Sequence, residues 1–125
     1  MNDTRRFSED SMFVKVKDEY RRIEFSDILY MEAAGGNSTI HLKDTRLLLS
    51  CSLAEIESFL PHSIFLRIHR SYIVNKQYIS AIIRNTLSIG ETKLSIGVNY
   101  RSDFLSSFHI MGKTQHNKEI ENKQD

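Results

Sequence analysis

The chain has 125 residues, 40% hydrophobic and 26% charged, and a formal net charge of +1, enough for one domain with an adequate core. Cys51 is the only cysteine, which excludes an intrachain disulfide and a cysteine-built metal site. The polar start MNDTRRFSED offers no secretory core, and no apolar run approaches the roughly 20 residues that cross a bilayer, so a cytoplasmic protein without membrane contact is expected.

In chain order, residues 1–11 read as a polar N-terminal segment, 12–111 as the folded domain and 112–125 as a polar tail expected to be disordered. MFVKVK (12–17) alternates, with Met12, Val14 and Val16 on one face. A turn at Asp18-Glu19 then leads to the strand YRRIEF (20–25). DILYMEAA (27–34) is a largely apolar strand closed by Gly35-Gly36-Asn37, and STIHLK (38–43) turns through Asp44-Thr45 into RLLLSC (46–51). Such short, tightly punctuated strands predict antiparallel β structure.

Ser52-Leu53-Ala54-Glu55 is a capping box, and Leu53, Ile56, Phe59 and Leu60 are expected to line one side of the helix it opens. Pro61 stops that helix. QYISAIIR (77–84), LSIG (87–90) and TKLSIG (92–97) read as strands, with turns at Asn85-Thr86 and Gly90-Glu91. RSDFLSSFHI (101–110) predicts a second short helix that buries Phe104, Leu105 and Phe108.

Function must come from the ionisable groups. Between Glu57 and Glu91 there is no Asp or Glu, while Arg67, Arg70, Lys76 and Arg84 fall there. A one-signed stretch predicts a positive face for phosphates, against the plain alternative of a chance gap. Cys51 ends an apolar strand before a helix cap, where a small buried thiol is the commoner fate. The five histidines show no pair at ligand spacing. No enzyme, metal or cofactor is therefore expected. His69 reads either as a core histidine donating to the backbone or as a ligand contact.

Within FLRIHRSYIVN (65–75), Arg67 and Arg70 are three apart, so an extended chain sends them to opposite faces. Arg70 is expected where the strand gives way to a turn, free to project outward. Exposed arginine bonds a guanine edge bidentately, and Ser71 and Lys76 suit phosphate oxygens. Tyr72 and Tyr78 either stack on unpaired bases or, as their alternation favours, pack half-buried.

DILYMEAAGGNSTIHLK (27–43), SLAEIESFL (52–60), FLRIHRSYIVNKQYISAI (65–82) and YRSDFL (100–105), in that order, resemble the LytTR-type DNA-binding domain. This is the output domain of LytR/AlgR/AgrA-type response regulators of bacterial two-component systems. The likeness covers roughly residues 12 to 110 and is densest at Phe65–Asn75 and Glu32–Gly35. It implies a mainly β, elongated fold of small antiparallel sheets with short helices. It also implies a transcription regulator whose loops enter successive major grooves of double-stranded DNA, often at repeated sites bound by paired protomers.

Carried onto this chain, base contacts are expected at Asn37 or Ser38, at Arg70, and at Asn99 with Arg101 competing. Ser71 follows as a phosphate contact. Arg67, His69, Lys76, Arg84, Lys43 and Lys93 join it on charge alone. Two departures stand out. Gly97-Val98 replaces the Ser-Arg common in the family, so one cation is missing, and Asn99 suits adenine where arginine suits guanine. Only about eleven residues precede the first strand, too few for a receiver domain. The expectation is a fragment or a stand-alone form controlled by abundance or a partner protein. An RNA or single-strand binder, and a protein-interaction module on the same scaffold, are the rivals.

Overall fold

The computed structural model of the protein describes residues 10–112. The expectations for residues 1–9 and 113–125 lie outside the described residues. Strands β1 (Ser11–Val16) and β2 (Glu19–Glu24) form an antiparallel ribbon. A 3-10 turn, Phe25–Asp27, leads into β3 (Ile28–Ala34), β4 (Asn37–Leu42), β5 (Arg46–Leu49) and helix α1 (Leu53–Glu57). The hairpin of β6 (Phe65–His69) and β7 (Tyr72–Asn75) follows, then a second 3-10 turn, Lys76–Tyr78. Strands β8 (Ala81–Ile83), β9 (Thr86–Ile89) and β10 (Thr92–Ser95) precede helix α2 (Arg101–Ser106). The fold is mainly β, with short helices on small antiparallel sheets, as the sequence predicts.

The central sheet has the order β5-β4-β3-β7-β6, and β8 to β10 make a separate sheet ordered β10-β9-β8. Two apolar clusters explain why the central strands read as near-continuous apolar runs. Met31, Ile40, Phe65 and Ile73 point into one cluster, with Val14 and Ile23 of the ribbon and Leu53 and Ile56 of α1. Tyr30, Leu66, Ile68, Tyr72 and Val74 point into the other, with Leu87, Leu94, Ile96 and Phe104. A sheet covered on both faces loses the apolar–polar alternation of a half-solvated one.

Local chemistry sets the element ends. The capping box is formed: the Glu55 amide donates to Ser52 Oγ at 3.2 Å and the Ser52 amide to Glu55 Oε1 at 2.8 Å. Leu53, Ile56 and Leu60 are buried, but Phe59 is 83% exposed, against expectation. The helix stops at Glu57 and Ser58 caps it, so Phe59 falls outside the helical phase. The predicted strand 77–84 is likewise cut back to Ala81–Ile83, because the Asn75 side chain starts a 3-10 turn by accepting from the Gln77 amide at 2.9 Å. Helix α2 ends at Ser106 instead of Ile110. Ser106 Oγ and Ser107 Oγ both donate to the Asp103 carbonyl, at 3.0 and 2.8 Å, and such bonds compete with helix continuation.

Asn75 is the buried polar pin of the frame. Its Nδ2 donates to the carbonyls of Phe25 and Ile28 at 3.1 and 2.9 Å, tying the end of β7 to the start of β3. Removing one partner from a buried bond leaves carbonyls unsatisfied. Asn75→Ala is expected to lower the unfolding free energy by about 1–3 kcal/mol, seen as a reduced urea midpoint. An unchanged midpoint would contradict this role.

Candidate functional site

Strand pairing decides which turns share an end of the central sheet. β3 runs out into Gly35-Gly36, where Gly35 takes a left-handed φ of 67°, open to glycine without strain. β7 starts from the Arg70-Ser71 turn. Glu32 pairs with Tyr72, and the Ala33 amide donates to the Ser71 carbonyl at 3.0 Å, so these two turns stand side by side.

The segment after β10 joins them. The Gly97 amide donates to the Ile68 carbonyl at 2.7 Å. A Cβ at Gly97 would lie 3.1 Å from Tyr100 Cδ2 and 3.6 Å from His69 Cα, so glycine permits this close approach. The Ile96 amide donates to the Asn85 carbonyl at 2.8 Å, and Arg101 Nη1 donates to the Arg84 carbonyl. That draws in the Arg84-Asn85 turn, in which Arg84 holds a left-handed φ of 55°. An L-residue bears about 1–2 kcal/mol for that conformation, and Arg101 helps to hold it.

Arg67 shapes the Arg70 turn. Its side chain is only 16% exposed, and each guanidinium nitrogen group has a partner. Nη1 donates to Glu57 Oε1 of α1 at 2.7 Å, Nε to the His69 carbonyl at 2.8 Å and Nη2 to the Arg70 carbonyl at 2.7 Å. Two-residue hairpin turns normally use a positive φ at the first central position, yet neither Arg70 nor Ser71 has one. The mismatch is absorbed by a register shift between Arg67 and His69, and by the Arg67 bonds that fix both carbonyls. The planar fork of arginine suits a site that offers a carboxylate and two carbonyls to three separate nitrogens.

His69 bonds the backbone, as one of its two readings expects, but as an acceptor and not as a donor. Its Nδ1 accepts from the Ser71 amide at 3.0 Å. Acceptance at Nδ1 puts the neutral ring's proton on Nε2.

The expected site residues separate into groups. Arg70, Asn37 and Asn99 are exposed at the shared turn end, and no intramolecular side-chain bond engages them among the described residues. Ser71, His69, Arg84 and Arg101 are brought to the same end. Ser38 is not available: it is fully buried, and its Oγ donates to the Cys51 carbonyl at 2.7 Å. Arg67, expected to meet phosphate, is an internal strut.

Lys76 and Lys43 sit elsewhere. By strand rise, Lys76 is about 13 Å along the chain from Tyr72 and Lys43 about 20 Å from Asn37, both at the opposite end of the sheet. Lys76 Nζ lies 5.5 Å from the Phe108 ring centre, and the hydrogen bond that Lys43 donates to the Tyr78 hydroxyl is the main cause raising Lys43 above its ordinary pKa. Lys93 is exposed on β10, toward the Gly90-Glu91 tip. The four cations of the Asp- and Glu-free stretch therefore do not share a face. Asn85, which the sequence offers only as a turn, is brought to this end by the bond from the Ile96 amide to its carbonyl.

Burial first, and the Glu55 carboxylate second, push the Cys51 thiol up, so it is a weak nucleophile at neutral pH. Among the described residues, no three His, Cys, Asp or Glu side chains come together to hold a metal ion. No described helix is long and apolar enough to cross a membrane.

A β frame that gathers exposed arginine and amide side chains on adjoining turns defines a module suited to a polyanion. Comparison with known proteins makes the class specific. The family model described as the LytTr DNA-binding domain matches residues 18–108. A solved LytTr DNA-binding domain, of a putative methyl-accepting/DNA response regulator from Bacillus cereus, superposes with a TM-score of 0.69. It is 28% identical, covering 81% of this chain and 98% of that one. The sensory transduction protein LytT of Bacillus subtilis is 29% identical over 70% of this chain and 39% of its own length. The heme-containing CO-sensing transcriptional regulator RcoM 1 of Paraburkholderia xenovorans is 39% identical over half of this chain and 23% of its own length. The chain belongs to the LytTr DNA-binding domain family, and it spans less than half the length of these curated relatives.

Arg67→Ala should free the Arg70 turn and strand Glu57. The expected loss is about 1.5–3 kcal/mol of stability, with faster amide exchange at Ala33 and Ser71. Exchange at wild-type rates would mean that the turn stands without the Arg67 strut.

Proposed function

We propose that the protein is a sequence-specific regulator of transcription that reads the major grooves of double-stranded DNA through these turns. Arg70 is the principal base contact, and its fork suits the O6 and N7 acceptors of guanine. Asn37 and Asn99 flank it as amide contacts, Asn99 suiting adenine. Ser71, the His69 Nε2–H and Arg84 serve phosphate oxygens. Arg101 positions the Arg84 turn and is not a base reader.

One observation carries this reading: Arg70 is exposed and unpaired on a turn whose carbonyls are fixed by Arg67. A contact group held before binding loses little conformational freedom on binding. A single-strand or RNA reader is disfavoured, because stacking needs free aromatic faces. Tyr72 and Tyr78 instead pack in the second apolar cluster, and the Tyr78 hydroxyl donates to the Ser26 carbonyl. Repeated sites bound by paired protomers, in the cytoplasm, complete the proposal.

The test begins with duplexes selected from a random pool. Arg70→Ala should weaken binding to the selected duplex by roughly 1–3 kcal/mol and hardly change binding to random duplex. Equal weakening of both would make Arg70 a backbone contact. Preference for unpaired competitor over duplex would overturn the reading.

A further inference from the structure

Val98 is an anomaly at the turn end. It is 85% exposed, among the most exposed large apolar side chains in the described structure. The segment around it is anchored at Gly97 and at Tyr100, yet the Val98 side chain stays in solvent. Gly97 donates to the Ile68 carbonyl at 2.7 Å, and Tyr100 to the Gly97 carbonyl at 2.9 Å. The backbone is thus fixed on either side of Val98 and Asn99, and a β-branched side chain has few rotamers to lose. Gly97 lies against His69, the residue before Arg70, so the segment that carries Val98 and Asn99 adjoins the Arg70 turn.

We propose that Val98 is a specificity residue that recognises the methyl group on C5 of a pyrimidine, in the base pair beside the one Arg70 reads. The inference rests on the proposed reading of duplex DNA through these turns. The C5 methyl is the one apolar feature that a base edge offers in the major groove, and apolar side chains are its natural partners. A cationic group there would add affinity to any sequence. Val98 adds none to phosphate and so contributes only where a methyl is present. The same chemistry occurs in thymine and in 5-methylcytosine, which the experiment separates.

In the selected duplex, each thymine is replaced singly by uracil, which lacks only the methyl. In a parallel set, each cytosine is replaced by 5-methylcytosine. At one thymine per protein site, uracil should weaken binding of the full chain about fourfold, the worth of one buried methyl. Val98→Ala should bind the thymine and uracil duplexes equally, and Val98→Thr, which keeps one methyl, should retain part of the difference. If the position instead holds cytosine, the methylated duplex should bind more tightly and Val98→Ala should remove the gain. Tolerance of uracil everywhere with no response to 5-methylcytosine overturns the inference alone. So does full discrimination by Val98→Ala. Failure to retain any duplex at low salt overturns the underlying reading as well.

Discussion

The bonds of one guanidinium, Arg67, organise the turn end of the central sheet. A tight turn between β6 and β7 would ordinarily call for a residue with positive φ, and this one has none. The turn holds because Arg67 takes two successive carbonyls, those of His69 and Arg70, while Glu57 of α1 neutralises it. Charge-assisted bonds are roughly twice as strong as neutral ones, and the partial burial of the group limits competition from water. The helix thereby supports the turn from below, leaving Arg70 without a partner above. Two arginines three residues apart have opposite duties.

The adjoining turns inherit their positions from that frame. The Ala33–Ser71 bond sets the Gly35 turn, and the Gly97–Ile68 bond sets the Val98-Asn99 segment. Ile96 and Arg101 then hold the Arg84 turn. Because the central sheet is packed on both faces, the strands that carry the Gly35 and Arg70 turns cannot slide without disturbing a buried layer. Function of this kind needs no moving part: loops on a stiff scaffold present side chains already aimed.

Much of the fold was legible, because its signals are local. Ser52 and Glu55 announce the helix start, Gly35-Gly36 and Gly90-Glu91 the hairpins, and the apolar strands the covered sheet. The exposure of Arg70 followed from its three-residue offset from Arg67. What stayed hidden depends on partners far away in sequence. Nothing in FLRIHR tells which arginine meets Glu57, since helix α1 lies ten residues back and its position depends on the core. Ser38 looked like a loop hydroxyl, but the strand begins one residue sooner and turns it inward to Cys51. Lys43 and Lys76 matched the expected charge but stand at the wrong end of their strands, a matter of register that composition cannot express. The Gly97-Val98 pair looked like a lost cation; in three dimensions Gly97 is required by the contact with His69 and Tyr100.

The end of the sheet that carries Arg70 is the surface proposed to meet DNA, presented by an unchanging frame. Backbone amide shifts recorded while a selected duplex is added test it directly. Changes are expected to concentrate at Gly35 to Asn37, Arg70 and Ser71, Arg84 and Asn85, and Val98 and Asn99, with Lys43, Lys76 and Tyr78 unaffected. Changes centred on Lys43 and Tyr78, with the Arg70 turn silent, would contradict it.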